Sequence, residues 1–302
     1  MTTLFGDKAF DVENALVLYA HTYATLPAFG IYDDDLLAPI MDEIRQCHIY
    51  LVGLTPKIDF VGASQEDETL ITSFEIAGNP YELRWPIPPG STLERGVDAN
   101  WYVRRADGAC GFPDEGAIGA RLSAEHSATD FRVLYVGQAY GEDGSRNALD
   151  RLRKHETLQK IALQGIPTGF HLSLLMLAIQ PGNRLITVFN PRAADKSKGP
   201  QRIRNGLVKL FNTSESERTT LYEASLIRYF QPPFNKVFKG SFPSTNLKVL
   251  ADCYDKDFAA VVAEISIDDL PFRLYSDTVP RKWDHIAKHD LHDDAARRVF
   301  FF

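Results

Sequence analysis

The sequence predicts an α+β protein: a small mixed or antiparallel sheet flanked by helices, preceded by an N-terminal α+β region and followed by a β-hairpin and a last helix. Two observations carry that expectation. Short runs rich in β-branched and aromatic residues, such as "IYLVGL" (49–54) and "FRVLYVGQA" (131–139), alternate with stretches of helical period, such as "SERTTLYEASLIRYF" (216–230). Glycine and proline clusters, such as "PIPPGS" (86–91), punctuate them.

Residues 1–95 read as an acidic α+β unit. "DVENALVLYAHTYATL" (11–26) has helical spacing and stops at Pro27. "DDDLLAPIMDEIRQCH" (33–48) is a second helix whose first turn carries acids, where the helix dipole favours them. "IYLVGL" and "KIDFVGA" (57–63) are strands, and "TLITSFEIAGNPYELRWPI" (69–87) is a hairpin. A second unit, 96–242, holds a short strand at "NWYVRRAD" (100–107) and the strand 131–139. "SRNALDRLRKHETLQKIALQ" (145–164) follows as one helix, with Leu149, Leu152, Leu158 and Ile161 on an apolar stripe. Then come a buried hairpin (169–190), a basic loop "RAADKSKGPQRIRNG" (192–206) and the helix ended by Pro232 and Pro233. The third unit, 243–302, reads as a hairpin (246–267), a strand (272–277) and a terminal helix around 283–299.

No apolar run approaches the length of a membrane span, and the first twenty residues carry no basic stretch with a cleavage site. Cys47, Cys110 and Cys253 are odd in number and far apart, which suits a reducing compartment. The expected location is the cytoplasm. The net charge of -7 conceals an uneven distribution: residues 131–250 carry 18 Lys and Arg against 8 Asp and Glu, or +10. A basic segment of this kind attracts phosphate backbones.

"LYVGQAYGEDGSR" (134–146) runs from a strand through glycines into a helix, as phosphate-binding loops do. No Lys precedes Ser145, and Gly137, Gly141 and Gly144 lack the spacing of a nucleotide fingerprint. The chemistry is sought instead on the flanking elements. Arg151 and His155 stand four apart, which places them on one helix face. Glu223 shares the face of Leu226, Ile227 and Phe230, and a carboxylate there requires an arginine, a hydrogen-bond network or a metal.

Taken in order, Tyr135-Val136-Gly137, Arg151, His155, Glu223, Leu226, Ile227, Pro232 or Pro233, and Asn235 resemble the motifs of the GIY-YIG nuclease superfamily. The resemblance spans roughly residues 100–240. A literal Gly-Ile-Tyr at 30–32 precedes Tyr135 by 103 residues and opens a helix, so it is set aside. "NWYVRR" supplies the first strand, with Tyr102 as the motif tyrosine and Asn100 for its glycine. The resemblance implies a metal-dependent endonuclease, acting on DNA before RNA, with Mg2+ or Mn2+ held by Glu223. Arg151 would stabilise phosphate charge, Tyr102 or Tyr135 would position water, with His155 a rival base, and Asn235 would fix its loop or touch phosphate. Gly137, Arg146, Arg153, Lys154, Lys196, Lys198, Arg202 and Arg204 are the candidate nucleic-acid contacts. A binding protein on an inactive scaffold, or a protein-interaction module, are the other readings. The terminal regions, including the apolar end at 299–302, are candidate homodimer or partner surfaces. His285, His289 and His292 on one helix face suggest a solvated face or, less simply, zinc.

Overall fold

The computed structural model describes residues 8–97, 100–141, 146–243 and 247–300. The first half of the chain forms β1 (Val12–Pro27), α1 (Asp34–Leu37), α2 (Met41–Ile44), β2 (Ile49–Pro56), β3 (Ile58–Glu66), β4 (Thr69–Ile76), β5 (Asn79–Pro86), β6 (Thr92–Arg95), β7 (Trp101–Arg104), β8 (Cys110–Gly111), α3 (Glu115–His126) and β9 (Phe131–Gln138). There follow α4 (Ala148–Leu152), α5 (Glu156–Leu163), β10 (Phe170–Ile179), β11 (Arg184–Phe189), α6 (Gly199–Phe211), α7 (Glu215–Phe230), α8 (Lys248–Asp255), β12 (Ala260–Ser266), β13 (Leu274–Tyr275) and β14 (Asp284–Asp290).

An eight-stranded sheet takes the order β13-β9-β2-β10-β1-β12-β14, with β11 also on β1. It is mixed: β1 and β12 run parallel, as do β13 and β9, and the other pairs are antiparallel. The α+β class holds, but this sheet is larger than the small one expected. Residues 1–95, 96–242 and 243–302 all contribute strands to it. Between β2 and β9 the chain makes two three-stranded sheets, β3-β4-β5 and β6-β7-β8, and then α3. One face of the large sheet is covered by α7 and α8 over Leu16, Leu51, Val133 and Leu175. The other is covered by α1, α2, α4 and α5 over Tyr50, Val52, Leu134 and Leu174. No helix among the described residues is long and apolar enough to cross a membrane.

Several elements differ from expectation. The stretch 11–26 is strand β1, not a helix. Its first seven residues are buried without alternation, because strands flank both edges and side chains pack on both faces. Such a run has no period to separate strand from helix. β10 and β11 do not pair as a hairpin; they lie end to end along one edge of β1, at Ala20–Pro27 and Val12–Val17. The expected single helix at 33–48 is broken at Pro39 into α1 and α2. Residues 248–255, expected within a hairpin, form helix α8, and 283–299, expected as a helix, contains strand β14.

The basic loop is largely helix α6. Its Arg202 is 2% exposed and pairs with Glu13 at 3.0 Å and with Asp257, beside Arg297 on the same two acids. Arg202 is therefore a structural ion pair and not a nucleic-acid contact. Breaking such a buried pair leaves an uncompensated charge, at a cost of about 3–5 kcal/mol. His285 and His289 are buried on β14 with Nε2 against the carbonyls of Lys282 (3.0 Å) and Ser225 (3.1 Å), and His292 faces that of Phe258. They form neither a solvated face nor a zinc set. Val299 and Phe300 are buried at 3% and 4%, so that part of the apolar end is not a free surface; Phe301 and Phe302 lie outside the described residues.

Candidate functional site

β9 carries the first elements of the site. Past Arg132 it has no β13 partner, and its flank there meets the segment after α7. Phe234 N–H donates to the Leu134 carbonyl at 3.1 Å. The buried Asn235 side chain spans Val136, accepting from its N–H at 2.9 Å and donating to its carbonyl at 2.8 Å. Asn235 thus acts as a backbone surrogate that fixes the turn at Pro232 and Pro233; both amide groups are committed to that role.

The partner of β9 is β2, with Tyr50 opposite Gly137. A Cβ at Gly137 would stand 2.5 Å from the Tyr50 hydroxyl and 2.8 Å from Tyr135 Cε1. Gly137 is buried and makes room for two phenol rings, so it is not a nucleic-acid contact. Tyr50 is 1% exposed. Its ring centroid lies 6.2 Å from Tyr135 and 5.4 Å from His155, and His155 lies 5.1 Å from Tyr135.

Tyr50 was not among the residues nominated from sequence; Tyr102 was. Tyr102 belongs to the separate β6-β7-β8 sheet, where its hydroxyl donates to Glu94 at 2.8 Å. That carboxylate raises the Tyr102 phenol, and Arg104 and Tyr102 hold Glu94 down at about 2. The signal for the alternative was present: His48-Ile49-Tyr50 differs from Gly-Ile-Tyr only at its first residue.

Where one helix was expected over 145–164, the described residues form two, α4 and α5. Asn147 caps α4 in a capping box with Asp150, while Asp143, Gly144 and Ser145 lie outside the described residues. His155 caps α5, its Nδ1 accepting from Leu158 N–H at 3.2 Å. That bond assigns the neutral ring proton to Nε2, so the basic nitrogen is already engaged. Burial, then Arg151, holds His155 down to about 4. His155 is a neutral buttress for the tyrosines and a poor base. Arg151 is exposed and acts electrostatically on Tyr50, Tyr135 and Glu223.

Glu223 comes from α7, whose Leu226, Ile227 and Phe230 are buried against the sheet. It lines a cleft of about 750 Å3 with Tyr135, Asn235, Lys160 and Lys236. Glu223 is half-buried, and its carboxyl group is closely surrounded by protein. Burial raises it to about 7, against the pull of the Gln138 amide groups and Arg151. Tyr135 is raised by burial and Glu223 and drawn down by Arg151; Tyr50 is raised chiefly by burial. No group of three or more metal-ligating side chains occurs among the described residues.

The remaining basic candidates divide. Arg153 donates Nε–H to the Ile31 carbonyl at 2.9 Å and lies over the Tyr32 ring, so it ties α4 to the first segment. Arg146 and Lys154 are exposed near Arg151. Lys196, Lys198 and Arg204 are exposed on or beside α6, which packs on β1 and β11, across β2 and β10 from β9. Lys160 and Lys236, exposed in the cleft itself, were missed because single lysines on helix and turn carry no pattern. Comparison with known protein families, with curated proteins and with solved structures returns no match.

Proposed function

We propose that this protein is a metal-dependent endonuclease that hydrolyses phosphodiester bonds in nucleic acid, DNA before RNA, and that it resembles the GIY-YIG nucleases. The observation that carries this reading is the antiparallel pairing of β2 with β9 that sets Tyr50, preceded by His48-Ile49, opposite Gly137 of Tyr135-Val136-Gly137, with His155 against both tyrosine rings, Glu223 in the cleft beside Tyr135, and Arg151 acting on all three of Tyr50, Tyr135 and Glu223. These are the residues the resemblance nominates, with Tyr50 in place of Tyr102.

A hard divalent cation fits Glu223: its oxygen donor faces a cleft open to water, and water and phosphate oxygens would complete the shell. When bound, Mg2+ or Mn2+ would offset charge on the phosphate and the leaving oxygen. Arg151 meets the phosphoryl oxygens with its guanidinium fork. The Tyr135 phenol, raised by burial, stays protonated at neutral pH and orients the attacking water. Tyr50 and His155 hold that ring in place. Lys160 and Lys236 receive the flanking backbone.

The test is cleavage of supercoiled plasmid and of RNA with Mg2+ or Mn2+, comparing wild type with Glu223→Ala and Arg151→Ala. Each variant is expected to lose on the order of 10²-fold or more. Cleavage indifferent to both changes sinks the proposal. Salt-sensitive binding without cleavage by the wild type selects the binding-protein reading instead.

A further inference from the structure

A second cleft, of about 1040 Å3, lies between the far end of the large sheet, the two small sheets and α3. Its walls are aromatic. Phe60 on β3 is 44% exposed and meets Phe112 edge to face at 6.0 Å, and Trp101 on β7 carries the Arg95 guanidinium over its ring at 5.5 Å. Arg95 and Glu115 are the charged residues of the lining, and the polar floor contributed by the large sheet is uncharged. Thr55 on β2 sits opposite His171 on β10, its hydroxyl 2.9 Å from His171 Nε2 and 2.6 Å from Ser173 Oγ. Thr55 and Ser173 are buried at 8% and 6%, and burial, with Lys57, holds His171 below its usual range.

This combination selects a ligand chemistry. A hydroxyl–imidazole chain can reverse its direction, so the floor offers a donor or an acceptor without carrying charge. A phosphate would require cations on that floor, and an acyl chain would leave its polar groups unmatched. A flat ring with apolar faces and a hydrogen-bonding edge satisfies both walls and floor. We propose that this cleft receives an unstacked nucleobase carried on a nucleic-acid strand, its ring against Trp101 and Phe60 and its edge on Thr55, His171 and Ser173. The strand is the one the proposed function supplies, and the inference rests on that reading. β2 contributes to both sites: Tyr50 and Thr55 are five residues apart, about 17 Å along an extended strand, and the alternation of the strand puts their side chains on opposite faces.

The test uses the full chain without divalent metal and single-stranded oligonucleotides bearing the fluorescent base pyrrolocytosine at successive positions. Insertion changes its emission. Trp101→Ala is expected to abolish that change and weaken binding about ten-fold, the size of one base–aromatic stack, while Trp101→Phe retains it. Thermal melting of both variants separates loss of the pocket from loss of the fold, and Thr55→Val removes the floor with the walls intact. Emission that is unaltered by protein, or that Trp101→Ala leaves unchanged in a folded chain, overturns the proposal. So does a response to the free nucleoside with none to the oligonucleotide. Parallel cleavage assays keep the two readings apart. Glu223-dependent cleavage with no Trp101-dependent emission removes the base pocket alone; Trp101-dependent emission with no cleavage under any metal removes the nuclease alone.

Discussion

Gly137→Ala is the smallest change that probes both the fold and the site. The added methyl would stand 2.5 Å from the Tyr50 hydroxyl oxygen, 2.6 Å from its Cζ and 2.8 Å from Tyr135 Cε1. Van der Waals contact requires a retreat of about 1 Å. Tyr50 is 1% exposed and cannot swing into solvent, so the strain must spread into β2 or α4. Overpacking of this kind costs about 1–3 kcal/mol. For 302 residues unfolding as a unit, an unfolding entropy of about 0.6 kcal/mol/K turns that into a Tm lower by about 2–5 °C. The same displacement moves Tyr135, and a misplacement of about 1 Å at a reacting group costs on the order of 10²-fold in rate. Differential scanning fluorimetry and plasmid cleavage read the two effects. Gly182→Ala is the control, because a Cβ there meets nothing within 4 Å. If Gly137→Ala matches Gly182→Ala in both Tm and rate, the packing of Tyr50 on Gly137 is wrong and the site built on it falls.

Tyr50→Leu, which removes the ring that holds Tyr135, is expected to slow cleavage on the order of 10²-fold while Tyr102→Leu leaves it unchanged; the opposite ranking restores Tyr102 as the motif tyrosine. Asn235→Leu removes both bonds to Val136 and should lower stability in urea by about 2–6 kcal/mol, since each orphaned backbone group costs about 1–3. An unchanged urea midpoint would show that the turn does not depend on them. His155, His285 and His289 are each held down to about 4 by burial, so between about pH 6.5 and 4 the unfolded chain binds protons that the folded chain refuses. Stability from each is complete above that window and declines by about 1.4 kcal/mol per pH unit as pH falls through it. Glu223, raised to about 7, has the opposite sign: its contribution is present below its ordinary range and is lost as pH rises through 7. His289→Gln isolates one histidine, and urea titrations should show its stability falling less than wild type by about 0.7 kcal/mol between pH 7 and 6 and by about 1.2 kcal/mol between pH 6 and 5; equal slopes refute the assignment.

What was legible in the sequence follows from local physics. Strand β9, the β4–β5 hairpin and helix α7 announce themselves through period and punctuation, and each stands where its pattern puts it. Glu223 was legible because a carboxylate on an apolar helix face is an anomaly. β1 was not, because burial on both sides erases the period. Tyr50 was hidden by distance: β2 and β9 are neighbours in the sheet, but Tyr50 and Tyr135 are separated by two small sheets and α3. Reading the motif as a short local unit directed attention to Tyr102, the tyrosine nearer in sequence. Arg202 was misjudged because a basic run gives no sign of the acids it meets, and Glu13 and Asp257 come from opposite ends of the chain.

The placing of β1 has a consequence for how the molecule is made. β1 lies inside the large sheet, and one of its neighbours, β12, is synthesised much later: Ala15 pairs with Ala260. At about 5–20 residues per second, the wait between those two residues is about 12–50 s. Throughout it the apolar run from Ala15 to Leu18 lacks one of its edges. A chain cut before β12 would have that edge of β1 uncovered, so the integrity of an early strand depends on a late one.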